Sequence, residues 1–223
     1  HTTQHIPCCS NPVSPGAISG RPVQGGLNPA PCCCMVNATL SPAPPPASAD
    51  AGGLNAPLFR RLLELQSADR RAVILDLGPA RTETVALFSQ FRCRLEFADL
   101  GDGCEQLNAE TDPLQLQQMV ESLLPRRRRE AADVVLCWDL LNYLQRPALK
   151  TLMAGVAARS RPGTLVHALI AYSAPRMPAK PDRYAALPDG RLIIRHVTGA
   201  DCAAPRYTPE DLRNCLPDYT VES

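Results

Sequence analysis

The chain has 223 residues and a formal net charge of +1, enough for one domain with a real core and without a field that would draw nucleic acid or an anionic membrane surface. No run reaches the roughly 18 apolar residues of a spanning helix, and aromatic residues make up only 4%. A transmembrane segment and aromatic stacking on nucleic acid are both disfavoured.

Residues 1–53 are dominated by Pro, Gly, Ser, Ala and Asn, with "SPAPPPASADAGG" (41–53) as the clearest low-complexity run. Such a segment buries too little apolar surface to offset its ordering entropy, so disorder is expected. It lacks the charged start and apolar run of a secretory signal. The first methionine is Met35; residues 1–34 are expected to lie upstream of the natural start, which the intact mass of the native protein tests. Five of the ten cysteines fall in this segment, as Cys8-Cys9 and Cys32-Cys33-Cys34. Adjacent cysteines lack the C-x2-C spacing that wraps a tetrahedral ion, so no metal site is expected. The others, Cys93, Cys104, Cys137, Cys202 and Cys215, are single, which suits reduced thiols in a cytoplasmic protein.

From Leu54 the pattern changes. "LNAPLFRRLLELQSADRR" carries leucines at helical spacing, with Pro57 near the start. "RAVILDLG" (71–78) predicts a buried strand and "ARTETVALFSQF" (80–91) a helix. "CRLEFADL" (93–100) is a second strand, and "DPLQLQQMVESLLP" (112–125) a helix capped by Asp112 with Pro113 at its first position. "ADVVLCWDLLNYL" (132–144) is a strand running into a turn. "PALKTLMAGVAARS" (147–160) is a helix and "GTLVHALIAY" (163–172) another buried strand. The alternation of strands and helices, with nearly continuous apolar strands, predicts a mostly parallel sheet covered by helices on both faces. A proline-punctuated loop follows Tyr172. Asp189-Gly190 signals a turn into the strand "RLIIRHV". Thr208 begins a helix with Pro209 at its first position, and "TVES" opens a strand that reads as cut short. The domain is expected over 54–223, incomplete at its C-terminus.

The chemistry centres on "VILDLGPARTETV" (73–85). Asp76 ends a strand and Gly78 follows, as at the start of a nucleotide-binding crossover. Asp99 ends the next strand, about where an acid can accept bonds from ribose hydroxyls. The alternative is that Asp76 and Asp99 are polar strand ends at a solvent-facing rim. Arg126 to Arg129 could grip phosphates, but no aromatic residue interleaves with them, and a solvated loop fits better. His167, inside an apolar strand, reads as a hydrogen-bonded core histidine. His196 has no partner at recognisable spacing, and Cys137, without a His/Asp constellation, reads as a small buried thiol.

Taken together, "VILDLG", "LEFAD", "ADVVLCWDLLNYL", "RPGTLVHALIAY" and "RYTPEDLRNCLPDY" resemble class I S-adenosylmethionine-dependent methyltransferases. The resemblance implies a Rossmann-like, doubly wound α/β fold. It places Asp76 and Gly78 at the methionine part of S-adenosylmethionine and Asp99 at its ribose. Cys137 and Trp138 lie by position at the mouth beyond the fourth strand, with Asp139, Asn142 and Tyr143 on the acceptor side. It implies methyl transfer to an unidentified small-molecule or protein acceptor. The departures are a single glycine, with Pro79 and Arg81 where others would stand, and no apolar run for a third strand between Asp99 and residue 112. They favour the alternative, a methyltransferase-like binding or scaffold protein without catalysis. A nicotinamide oxidoreductase expects G-x-G-x-x-G, which "GPARTE" does not supply.

Overall fold

The computed structural model describes residues 3–4, 33–39, 53–64 and 71–221. In chain order the elements are β1 (Thr3–Gln4), β2 (Cys33–Thr39), β3 (Leu54–Asn55), α1 (Pro57–Glu64), β4 (Ala72–Asp76), α2 (Thr82–Phe88) and β5 (Cys93–Phe97). After a 3-10 turn (Gly101–Gly103) come α3 (Cys104–Ala109), α4 (Pro113–Leu123), β6 (Ala132–Trp138), a second 3-10 segment (Leu140–Tyr143), α5 (Arg146–Ala157) and β7 (Ser160–Ile170). The chain closes with β8 (Arg176–Pro178), β9 (Arg183–Ala186), β10 (Arg191–Arg195), β11 (Asp201–Ala203), α6 (Pro209–Cys215) and β12 (Tyr219–Val221).

The main sheet runs β1-β2-β7-β6-β4-β5, with β12 paired on β2. Its centre, β7-β6-β4-β5, is parallel throughout, so the protein is α/β. Alternate residues of each central strand enter different cores. Leu75, Val135, Cys137, Val166 and Ala168 meet α3 to α6. Ile74, Val134, Leu136 and Leu169 meet α1, α2 and the β9–β10 hairpin. Both faces are therefore apolar, which is why these strands lack a polar alternation in sequence.

No strand lies between Phe97 and Ala132 among the described residues, as the missing apolar run predicts; α3 and α4 fill the connection. Asp112 caps α4 by accepting from the amides of Leu114 and Gln115. Thr208 and Asp211 form a reciprocal capping box on α6. One predicted helix is shorter than its sequence pattern, α2 spanning Thr82–Phe88; α1 is described over Pro57–Glu64, and the rest of its pattern lies outside the described residues. Within the segment expected to be disordered, Cys33–Thr39 forms a strand parallel to β7. The rest of that expectation lies almost wholly outside the described residues. The residues from Tyr172 to β9, expected to be a loop, contain β8, which pairs with β11 as a two-stranded ribbon.

The turn before β10 is tied to α1. Gly190 has φ 81°, its amide donates to the Leu187 carbonyl at 2.9 Å, and Arg60 Nε donates to the Asp189 carbonyl at 2.9 Å. A Cβ on Gly190 would stand 2.4 Å from Arg60 Cβ and 2.6 Å from its Cα. Backbone cannot yield as a flexible side chain can. We therefore expect Gly190→Ala to cost about 2–4 kcal/mol from the left-handed backbone and overpacking together, read by urea denaturation. An unchanged midpoint would mean the turn re-forms without this contact.

Candidate functional site

In an open parallel sheet, ligands collect where the strand order reverses, at the carboxyl ends of the strands. Here β4 lies between β5 and β6, so that place is bounded by Asp76, Asp99 and Trp138. Two of the three non-glycine residues at positive φ among the described residues are there: Asp99 at 49° and Trp138 at 50°. Left-handed backbone at a bulky residue such as Trp138 is costly, and such strain collects at functional positions.

Asp76 is 1% exposed. Its Oδ1 accepts from the Gly78 amide at 2.8 Å and from Trp138 Nε1 at 2.7 Å. Burial pushes its carboxyl up to about 6, although these two donors and the charge of Arg81 pull the other way. The same contacts revise the role of Gly78. The sequence suggests that it lets a ligand approach, but the space beside it is taken by Trp138, whose Cδ1 would lie 3.0 Å from a Cβ there. The indole stacks on Tyr184, with centroids 5.6 Å apart and planes 5° from parallel, and tilts against Phe59 at 5.9 Å. Trp138 is thus a wall buried in the core, and Cys137 is fully buried beside it. Burial also raises the Cys137 thiol, and both residues border a small cavity beside Asp76.

Asp139 is 4% exposed. Its Oδ2 accepts from the Asp182 amide at 2.9 Å, and burial pushes its carboxyl up to about 7. The Tyr184 hydroxyl is near enough to influence Asp139 but makes no hydrogen bond of normal geometry. Asn142 is a brace. Its Nδ2 donates to the carbonyls of Asp139 and Leu169, and its Oδ1 accepts from the Ala171 amide. Tyr143 donates its hydroxyl to the Lys180 carbonyl at 2.9 Å, joining the floor of the site to the chain above it.

That overlying chain creates the cleft. A cavity of about 680 Å³ has Asp99, Asp102, Glu105 and Tyr143 on one side and residues of the β8–β11 ribbon, such as Met177 and Cys202, on the other. Asp99 is exposed there, and its carboxylate has no hydrogen bond or ion pair among the described residues. Its amide donates to the Gly78 carbonyl at 3.3 Å, so the loops after β4 and β5 are joined. A second cavity, of about 40 Å³, lies between Asp76, Thr84, Trp138, Asp139 and Tyr184, with room for about one water. The structure thus brings Asp76, Gly78, Cys137, Trp138 and Asp139 to the small cavity and Asp99, Asn142 and Tyr143 to the large one.

Sequence reasoning missed Asp102, Asp182 and Tyr184. "GDG" (101–103), directly after Asp99, was a readable sign for the first; the other two come from a segment read as a loop. His167 also differs from expectation. It is fully buried, but neither ring nitrogen has a hydrogen-bond partner. Instead it meets Phe59 and Trp138 edge-on, and burial holds it down at about 4, hence neutral. Arg126 to Arg129 are exposed, as expected, with Arg127 on Glu121 and Arg128 on Glu96. No group of three or more potential metal ligands occurs among the described residues.

Two tests follow from the buried carboxylates. Both bind protons in the folded chain at pH values where the unfolded chain has released them, so stability falls as pH rises from about 4 to about 7. Each contributes a slope of up to about 1.4 kcal/mol per pH unit. Asp139→Asn should flatten the upper part of that slope in urea denaturation at pH 5 and pH 8; an unchanged slope would place the titration elsewhere. Trp138→Phe keeps an aromatic ring but removes one donor from Asp76. It should cost about 1–3 kcal/mol at pH 8, and less at pH 5, where the Asp76 carboxyl carries a proton.

No family model, curated protein or solved structure matches the chain, so its chemistry rests on this geometry.

Proposed function

We propose that the chain is a methyltransferase of Rossmann-like, doubly wound build that uses S-adenosylmethionine. The observation that carries the reading is Asp99. It is held in left-handed backbone at the end of β5, with an unpaired carboxylate on a cleft of about 680 Å³. Two carboxylate oxygens side by side suit the two hydroxyls of a ribose. Arg81 lines both this cleft and the small cavity beyond it, where its guanidinium suits the cofactor's carboxylate. The cofactor, when bound, supplies an electrophilic methyl group. The protein's part is to hold cofactor and acceptor in line and exclude water. Asp139 is suited to take a proton from the acceptor, since a carboxyl titrating near 7 is partly ionised at neutral pH while still basic. A rate limited by this step rises with pH through about 7.

One observation favours a second reading, a binding or scaffold protein without catalysis. Trp138 fills the approach at Gly78, leaving about 40 Å³ on the side where the methionine part would enter. A nucleoside would then bind without a methyl donor in place.

Titration of S-adenosylhomocysteine into the full chain, followed by calorimetry and by fluorescence of its single tryptophan, Trp138, separates the two. Methyl transfer predicts micromolar affinity, at least about tenfold weaker in Asp99→Ala, with a changed Trp138 signal. Adenosine binding as tightly as S-adenosylhomocysteine supports the second reading. No binding of either by the folded protein defeats both.

A further inference from the structure

A third cavity, of about 240 Å³, adjoins the other two and shares Arg81 with both. Arg81, Arg183, Arg195 and His196 line it, and Glu83 is the single carboxylate in its wall. Arg183 and Arg195 face each other directly across the β9–β10 pair. Like charges at directly opposed positions destabilise a hairpin, so the arrangement is unfavourable without something to offset it.

Nearby acids do not supply the offset. Glu83 reaches Arg195 at 3.6 Å with both side chains substantially exposed, a weak pair. Arg183 has no ion pair among the described residues. Asp182 is already committed, its Oδ2 to His196 Nδ1 at 2.8 Å and its Oδ1 to the Val197 amide at 3.1 Å. Two guanidiniums opposed on one wall, each a planar fork of donors, suit an oxyanion with several acceptor oxygens.

We propose that Arg183 and Arg195 bind an oxyanion, a carboxylate or phosphate, carried by the methyl acceptor. The acceptor's reacting group would then face Arg81 and the Asp139 end of the site. Assigning the anion to an acceptor rests on the methyl-transfer reading; the anion site itself does not.

Inorganic phosphate and acetate, each titrated by calorimetry into the full chain against chloride at constant ionic strength, test this directly. At least one should bind with a Kd in the millimolar range or tighter, and the stronger of the two identifies the chemistry of the acceptor's anion. The paired variant Arg183→Gln/Arg195→Gln should weaken that binding at least tenfold. Arg195, unlike Arg183, lies outside the large cleft, so Arg195→Gln alone should weaken it too and leave S-adenosylhomocysteine affinity unchanged. Both residues are exposed, and removing their repulsion should leave the Tm in chloride at or above that of the unaltered protein. The proposal is overturned if neither anion binds above chloride, if the variant retains binding, or if saturating S-adenosylhomocysteine displaces the anion. A Tm several degrees lower in the variant would make the pair structural and overturn it equally. Anion binding as expected with no S-adenosylhomocysteine binding leaves the anion site standing and removes its assignment to a methyl acceptor.

Discussion

The buried carboxylate of Asp76 is the constraint on which the site depends. It sits where β4 ends, takes one hydrogen bond from the turn that follows and one from the indole at the end of β6. An ionised group so deep in the protein is costly unless donors converge on it. Those two donors come from chain segments about 60 residues apart, so meeting the needs of one carboxylate fixes the relative position of two strand ends. Trp138 accepts left-handed backbone to reach it, and stacking on Tyr184 and packing on Phe59 help to offset that strain. The turn at Gly78, the wall of the small cavity and the seat of the β9–β10 hairpin all follow from this arrangement.

The segment between β7 and α6 has the opposite character. It contributes little to the main sheet and instead builds the roof of the site. The β8–β11 ribbon stands over Asp99 and Asp102, and β9 places Tyr184 against Trp138. Chemistry is thereby divided. Asp99, Asp102 and Glu105, all exposed, face the large cleft, while Asp76 and Asp139, buried and raised, face the small one. Arg81 lies where the cavities meet, and the arginines opposed across the hairpin lie beyond it. A rigid scaffold with variable loops carrying the recognition groups is a common division of labour, and here the β9–β10 hairpin adds the positive charge of Arg183 and Arg195.

Much of the scaffold was legible in the residue pattern. The runs at 72–76 and 132–138 are apolar without alternation because they are buried on both faces, and that signature survives without any structure. The caps at Asp112 and Thr208 were legible because a cap is local: side chain, proline and amide lie within four residues. Asp99 was legible as a position for the same reason, standing at the end of a strand. The ribbon was not, because β8 and β11 are three residues each and their pairing joins positions more than 20 apart. Nor was the bare His167, since an apolar strand context predicts burial but says nothing of which rings will surround the imidazole.

By itself, the sequence determined the α/β class, the parallel centre of the sheet, the starts of α4 and α6 and the exposure of Arg126 to Arg129, because each of these follows from periodicity or from contacts a few residues apart. Only the tertiary structure decided that the space beside Gly78 belongs to Trp138, that Asp76 and Asp139 are buried and raised while Asp99 is free, and that Arg183 and Arg195 confront one another. Those facts depend on what distant segments place against each residue, and burial, more than residue type, sets the energy of a charge.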